Sequence, residues 1–232
     1  MEIDTTFDFR SDTPPGGDPD RYSATLKRYH QVLWSRPLPN GRPFELSSSV
    51  PGVYLHHASD LGNFRLSSDA VMPSYSRWDE MAPIVSQLPD AEVEAFVAAT
   101  YTIGGMMIFP GNQIDGRWTI NQARGCLSKI SDRFDLTVEA IRRHYRDEPS
   151  PLGETFARYP EYFALFGDFG GFVEHFLLQD LVDHDGSVRF FMDFDDFRVK
   201  DVPREVETYL EFRNRSLEFI ASRNRRIAGL GL

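Results

Sequence analysis

Residues 53–66 read VYLHHASDLGNFRL, and this stretch decides the fold predicted for the first half of the chain. Two short runs of β-favouring residues, 53–57 and 63–66, flank Asp60-Leu61-Gly62, which is typical of a turn. We therefore predict a β-hairpin built from these two runs.

A second hairpin is predicted further along the chain. Residues 102–109 read TIGGMMIF and residues 117–120 read RWTI, and the segment between them is rich in turn residues. Gly104-Gly105 within the first run indicates a bulge or a close approach of another backbone. Two further short strands are predicted at residues 7–10 and 187–192.

Apolar residues at helical spacing predict helices in the rest of the chain. The first begins at Asp20 as its N-cap and is followed by helices over 76–88 and 91–101. The second half is mostly helical, and its aromatic-rich block 156–182 reads as two helices with a bend. The apolar stripes that carry these predictions are Tyr22, Leu26, Tyr29 and Leu33; Phe134, Val138, Ile141 and Tyr145; and Val206, Leu210, Leu217 and Ile220. Because no repeat, linker or composition change divides the chain, we predict a single compact α+β domain over residues 1–232, with short antiparallel hairpins packed against a predominantly helical second half.

Composition excludes several classes of protein. The chain has 232 residues, a net charge of −10 and one cysteine. A single cysteine rules out an internal disulfide framework and multi-cysteine zinc sites, and it fits a reducing cytoplasm. An acidic chain repels phosphate backbones, so nucleic acid is not an expected partner. No segment approaches the roughly 20 apolar residues of a membrane span, and no export signal is recognised, so we expect a cytoplasmic protein with no membrane contact.

Two neighbouring histidines are candidates for acid–base chemistry. His57 and His56 close the first strand of the hairpin, and Asp69 follows the second strand. An imidazole beside a carboxylate is the minimal equipment for proton transfer. The alternative is that one histidine is half-buried and bonded to the backbone while the other faces water. A histidine that closes a strand before a serine-containing strand also loosely resembles the NAD-binding core of ADP-ribosyltransferases.

A second group of polar residues suggests ligand binding. Asn121 and Arg124 follow the predicted second hairpin, where polar groups often contact a substrate, and arginine forks onto carboxylates or phosphates. Asp132 and Arg133 come next, at the start of a predicted helix. The alternative for Asp132, and for Asp135 beyond it, is capping of that helix.

Charge is unevenly distributed near the end of the chain. Seven aspartates lie between Asp180 and Asp201, and an excess of arginines lies between Arg213 and Arg226. Clustered carboxylates suit hard cations, but this stretch lacks the known calcium-loop signature and also reads as turns, so we assign no metal site. The arginines either meet an acidic partner or complement the dipole of their own helix.

Several segments together resemble a family of bacterial proteins known only as a domain of unknown function. The likeness is carried by residues 7–23, 28–41, 101–112, 119–125 and 132–145, and by LLQDLV at 177–182 and FDDF at 194–197. It implies a bacterial, cytosolic, self-contained domain and brings no reaction, ligand or catalytic residue with it.

The leading hypothesis is that the protein binds, and acts on, a small phosphate- or carboxylate-bearing molecule. His57 or His56 would transfer protons, Asp69 would orient the imidazole, and Arg124 with Asn121 would contact the anion. A competing hypothesis is a non-enzymatic protein that binds a partner or a second copy of itself through exposed aromatics between Tyr159 and Phe176. An ADP-ribosyltransferase-like enzyme is a weaker alternative. The sequence does not identify a cofactor.

Overall fold

A three-stranded antiparallel sheet forms the β part of the computed structural model, which describes residues 2–48 and 54–232. Its strands, β1 (Leu55–Ser59), β2 (Gly62–Ala70) and β3 (Met106–Pro110), lie side by side in this order. The pairing of β1 with β2 confirms the first predicted hairpin, although residue 53 lies outside the described residues. Gly62 has φ +136°, a conformation that glycine adopts readily, and this allows the tight turn between the two strands.

The remaining chain is largely helical. The α-helices of the described residues are α1 (Pro19–Tyr22), α2 (Ala24–Trp34), α3 (Ala82–Val85), α4 (Asp90–Thr100), α5 (Ile120–Cys126), α6 (Phe134–His144), α7 (Gly153–Phe156), α8 (Pro160–Ala164), α9 (Phe169–His175) and α10 (Val206–Ala228). Short 3₁₀ turns lie at Phe9–Asp12, Asp79–Met81, Ile103–Gly105 and Gln179–Leu181. Strands and helices share one continuous hydrophobic core, so the chain is a single compact α+β domain, as predicted.

The second predicted hairpin is wrong. β3 pairs with β2, with Ser68 opposite Ile108, rather than with residues 117–120. Residues 117–120 lead into α5 instead, because Thr119 and Gln122 form a capping box: the Thr119 hydroxyl accepts the Gln122 N–H at 3.3 Å, and the Gln122 side chain accepts the Thr119 N–H at 3.0 Å.

Three local predictions near the ends of the chain also need correction. Residues 7–10 form no strand, because the chain turns there into the 3₁₀ turn Phe9–Asp12. Residues 187–192 contribute only an isolated bridge between Val182 and Val188. Asp20 is not an N-cap, because Asp18 caps the short helix α1, and a separate cap begins α2.

The close backbone approach predicted at Gly104-Gly105 is confirmed. A Cβ atom on Gly104 would lie 2.6 Å from the Ile220 carbonyl oxygen, and one on Gly105 would lie 2.3 Å from the Thr100 carbonyl oxygen. Arg223, also on α10, is fully buried and donates to the Gly104 and Met106 carbonyls at 3.1 and 2.7 Å. Glycine at position 104 therefore lets α10 pack directly on the chain that enters β3, and glycine at position 105 lets the same chain pass close to the end of α4.

The aromatic block is packed inside the monomer. Helices α8 and α9 meet at a bend containing Gly167, which has φ +77°. Seven aromatic residues of the block are buried: Tyr159, Tyr162, Phe163, Phe166, Phe169, Phe172 and Phe176. The exposed aromatic surface required by the partner-binding hypothesis is therefore not formed by these residues.

Within the described residues, no helix combines the length and the apolar character needed to cross a bilayer.

Candidate functional site

Two of the predicted site residues, Asp69 and Asp132, contact the buried side chain of a third, Arg124. The side chain of Arg124 is 0% exposed, and its Nη1 donates to Asp69 at 2.9 Å while its Nη2 lies 3.0 Å from the Asp132 carboxylate. Its Nε donates to the Thr137 hydroxyl at 2.9 Å, and Nη2 also donates to the Val71 carbonyl. Every guanidinium nitrogen therefore already has a partner within the protein, so Arg124 organises the interior instead of presenting a free fork to a ligand.

Two opposing influences, burial and the Arg124 cation, act on the ionisation of the two carboxylates beside Arg124. Burial raises the pKa of Asp69, and the neighbouring Arg124 cation lowers it again. Burial likewise raises the pKa of Asp132, against the same cation. Burial has the larger influence, so the pKa of Asp69 lies above its ordinary value despite the ion pair with Arg124.

Arg133 belongs to a different buried cluster. Its guanidinium pairs with Asp135 and, at 2.6 Å, with Asp201. Asp135 also accepts the Phe191 N–H at 2.8 Å, so it ties α6 to the chain around Phe191. Asp132 does not cap α6, because Arg133 occupies the N-cap position and Asp132 has φ +61°. Asp135 lies in the first turn of α6, where its negative charge complements the helix dipole. Because Arg133 is buried and paired with two carboxylates, it is not available for the ligand-binding role predicted for it.

The two predicted catalytic histidines lie near the turn of the first hairpin. The His57 ring stacks on Phe44 with centroids 4.3 Å apart, and its nitrogens contact the Glu45 carbonyl and the Ser59 hydroxyl at 2.8 and 2.7 Å. His56 contacts the Asn63 side chain at 2.9 Å. Both imidazoles therefore have hydrogen-bond partners in their own hairpin.

The predicted grouping of these histidines with Asp69 is not formed. His57 pairs with Phe64, five residues before Asp69 on β2, which corresponds to roughly 17 Å along the strand. An odd separation also places Phe64 and Asp69 on opposite faces of the sheet. His56 pairs with Arg65 and shares the face of Asp69, but it lies roughly 13 Å away along the strand. Proton transfer needs hydrogen-bond contact or one bridging water, so neither histidine can work with Asp69 on one reacting atom.

A polar cleft lies beside β2, and we call it the Asp20 cleft. It has a volume of about 670 Å³, within the usual range for small-molecule pockets. Its lining combines three cations, two carboxylates and several uncharged groups: Arg21, Lys27 and Arg65; Asp18 and Asp20; and Tyr54, Leu66, Ser67, Gly111 and Asn112.

Asp20 is held against the edge of β2. Its Oδ1 accepts the Ser68 N–H at 2.7 Å, at a place where β1 no longer runs alongside, because β1 pairs only as far as Leu66 among the described residues. Burial raises the pKa of Asp20 to about 7, while the Ser68 N–H and the Lys27 ammonium act in the opposite direction. Asp20 therefore carries a carboxyl that exchanges protons near neutral pH, as an acid–base group must.

The three cations of the cleft are not neutralised by ion pairs. Within residues 2–48 and 54–232, none of Arg21, Lys27 and Arg65 lies within 4 Å of a carboxylate oxygen. Lys27 donates to the Arg21 carbonyl at 3.2 Å and lies 5.4 Å from the centre of the Tyr54 ring. These positive groups thus remain available to an anion.

The floor of the cleft continues along one face of β2. Arg65, Ser67 and Asp69 alternate on this face, so the strand leads from the open cleft towards the Arg124 cluster. Asn121 sits beside this path, and its Nδ2 donates to the Ser67 hydroxyl at 3.2 Å. Of the predicted residues, Asn121 therefore supports the cleft residue Ser67, while Asp69 lies further along the same face and pairs with Arg124.

A buried chain of hydrogen bonds backs the cleft from the core side. The Trp34 indole can only donate, and its Nε1 lies 2.6 Å from His30 Nδ1. His30 Nε2 must then carry the ring proton and donate it to the Ser68 hydroxyl at 2.8 Å. Burial lowers the pKa of His30 to about 3, which keeps the ring neutral. The Ser68 hydroxyl accepts this bond, so its own proton is left free to be donated.

The sequence contained signals for the cleft that did not enter the prediction of site residues. Arg65, Ser67 and Asp69 stand at alternate positions, which marks a polar face of a strand, but the predicted strand ended at residue 66. Of the charged residues Asp18, Asp20, Arg21 and Lys27, only Asp20 was assigned a role from the sequence, as a helix N-cap. What the sequence could not show is that α1 and β2 touch.

The charged groups near the end of the chain are engaged internally. Asp180 pairs with Arg226 at 2.6 Å, and Asp183 pairs with Arg189 at the same distance. Arg213 reaches Glu92 on α4 at 2.6 Å. The arginine patch predicted from the sequence is therefore largely neutralised or buried.

These features define an α+β protein with a small polar cleft beside the middle strand of a three-stranded antiparallel sheet. A family model described as "Family of unknown function (DUF6994)" matches residues 3–227. The chain therefore belongs to this family, which confirms the resemblance to a domain of unknown function. No curated protein and no solved structure matches the chain.

Proposed function

We propose that the protein binds a small phosphate- or carboxylate-bearing molecule in the Asp20 cleft and acts on it there. The single observation that carries the proposal is the convergence of three unpaired cations, Arg21, Lys27 and Arg65, on a cleft that also holds Asp20. Unpaired cations around a concave site attract anions strongly, because the surrounding low-dielectric walls concentrate their field.

Asp20 supplies the chemistry in this proposal. Its carboxyl, with a pKa of about 7, accepts a proton from a bound hydroxyl when ionised and returns one when protonated. The Ser68 N–H holds the carboxyl in place, so one oxygen is fixed and the other is left for the ligand. Asp20 replaces the histidines as the acid–base candidate, since neither imidazole lines the cleft.

Binding is tested by thermal shift of the full chain against inorganic phosphate, nucleotides, sugar phosphates and dicarboxylates. A ligand that binds only the folded state raises the melting temperature, by an amount that grows with ligand concentration. We expect at least one class of anion to do so, and we expect Arg65→Gln to weaken its binding about tenfold through loss of a charge-assisted contact.

The matched control is Arg198→Gln, which removes the same charge from an exposed arginine outside the cleft. It should leave the shift unchanged. A flat profile for the whole panel, or equal losses in the two variants, contradicts the proposal.

We also propose a bacterial cytoplasmic location. Its support is the free, exposed thiol of Cys126, which suits a reducing compartment. Cell fractionation of the native host tests it, and recovery in an oxidising compartment contradicts it. Self-association stays a prediction. The aromatic block that suggested it is buried and does not support it.

A further inference from the structure

We propose that the ligand of the Asp20 cleft is a phosphorylated sugar, in which one phosphate ester is attached to a neutral body rich in hydroxyl groups. This inference rests on the proposed function and specifies its ligand. The observation behind it is that the lining carries both signs of charge: Arg21, Lys27 and Arg65 occur together with Asp18 and Asp20. A ligand that is anionic throughout would place negative charge against those carboxylates, which costs energy in a partly buried site.

The balance of charge favours a phosphate ester as the anionic part. The three cations outnumber Asp18 and Asp20, so the lining carries one positive charge when Asp20 is ionised and two when it is protonated. A phosphate monoester carries a charge of about −1.5 to −2 at neutral pH. A single carboxylate carries only one negative charge and would leave part of the cationic surface uncompensated.

The uncharged groups of the cleft suit hydroxyls. The Ser67 hydroxyl accepts a bond from Asn121 at 3.2 Å, which leaves its own proton free to be donated. Asp18 and the second oxygen of Asp20 accept hydrogen bonds, and Asn112 offers a side-chain amide. A sugar hydroxyl both donates and accepts, so it can satisfy each of these groups.

An ammonium-bearing zwitterion is the main alternative for a lining of mixed sign. A ligand ammonium is best held by an ionised carboxylate. Burial raises the pKa of Asp20 and so disfavours its ionised form, and Lys27 already lies close enough to compete with a ligand ammonium for this carboxylate. A neutral sugar hydroxyl does not have to compete with the Lys27 ammonium for the Asp20 carboxylate.

Isothermal titration calorimetry of the full chain tests the inference with five probes: ribose 5-phosphate, glucose 6-phosphate, inorganic phosphate, ribose and O-phosphoserine. We expect at least one sugar phosphate to bind about tenfold or more tightly than inorganic phosphate, because added hydrogen bonds multiply affinity. Ribose should bind far more weakly than ribose 5-phosphate, since it has no group for the cations.

Two variants locate the hydroxyl contacts. Asp20→Asn and Ser67→Ala should each lower the affinity for the preferred sugar phosphate about three- to tenfold without weakening the binding of inorganic phosphate. Arg65→Gln should weaken both ligands, and Arg198→Gln should weaken neither. Circular dichroism confirms that each variant is folded, and Ser67→Ala keeps the test valid if Asp20→Asn does not fold.

The outcomes separate this inference from the proposed function. If inorganic phosphate binds as tightly as both sugar phosphates, or if O-phosphoserine binds most tightly, the sugar is excluded and anion binding stands. If none of the five probes binds and the dicarboxylates also fail, both proposals fall.

Discussion

The Arg124 cluster and the Asp20 cleft lie along the same face of β2 and contain similar residues, but they use their charges differently. In the cluster, the buried guanidinium of Arg124 is shared between Asp69, Asp132 and neutral acceptors of the interior. In the cleft, Arg21, Lys27 and Arg65 face a solvent-filled space without a paired carboxylate among the described residues. The same residue types therefore build a structural centre in one place and an open site in the other.

The difference shows that arginine content alone does not locate a ligand site. A buried arginine must satisfy its donors within the protein, because an unpaired buried charge is strongly destabilising. An exposed arginine keeps its hydration until a ligand replaces it. The relevant property is the number of donors left open after folding, and that property depends on three-dimensional contacts.

The largest expected effect comes from removing the centre of the cluster. Arg124→Met leaves the Asp69 and Asp132 carboxylates without their cation, and we expect the free energy of unfolding to fall by about 3–5 kcal/mol. Urea denaturation followed by circular dichroism measures the loss. Arg21→Met removes an exposed cleft arginine of the same size and should cost less than about 0.5 kcal/mol. Equal costs would show that the two regions do not differ as described.

The second effect is a dependence of stability on pH that originates in the cleft. Asp20 has a folded-state pKa of about 7, above the ordinary value of 3.8 that applies to the unfolded chain. The folded state then binds the proton more tightly, so the stability contributed by this proton is complete below about pH 4 and is lost as pH rises towards about 7.

Comparison with Asp20→Asn isolates this group, since the amide does not titrate. Relative to the variant, the native chain should lose on the order of 3 kcal/mol of unfolding free energy between about pH 4 and 7. Denaturation curves at several pH values measure the difference. A difference that stays constant over this range would mean that Asp20 is ionised throughout and has no raised pKa.

The smallest expected effect on stability is that of Arg65→Gln. Arg65 is exposed on β2 and forms no ion pair among the described residues, so the free energy of unfolding should change by less than about 0.5 kcal/mol. Ligand binding should nevertheless weaken about tenfold, as proposed above. This combination of unchanged stability with lost binding is the opposite of the pattern expected for Arg124→Met. A stability loss comparable with that of Arg124→Met would show that Arg65 is a structural residue.

Local sequence signals predicted most of the helices and one hairpin. Helix α6 and its apolar stripe were predicted because the spacing of Phe134, Val138 and Ile141 is a local property. The pairing of β3 was missed, because β2 and β3 are far apart in sequence and short strands carry no signal for their partner. Thr119 and Gln122 held a capping signal that would have placed a helix where a strand was predicted.

The candidate site could be predicted only in part. Asp69 and Arg124, which were assigned to one site from the sequence, form an ion pair, and Asn121 contacts Ser67 nearby. The exposure of these side chains to solvent was not predicted, because it depends on how many neighbours fold around each side chain. Asp20 was interpreted as a helix cap, since an aspartate before an apolar helical pattern has that role more often than any other. Only the contact between α1 and β2 shows that it faces a cleft.

The bond between the Asp20 carboxylate and the Ser68 N–H has a consequence for how this protein behaves in a crowded solution. A strand edge with free N–H groups is a template on which extended segments of other chains can add, and this is a common start of aggregation. At Ser68 a side chain occupies the position that another strand would take, and it brings negative charge to that edge when ionised. Asp20, the residue proposed to act on the ligand, thus also blocks this position of β2 against strands of other protein molecules.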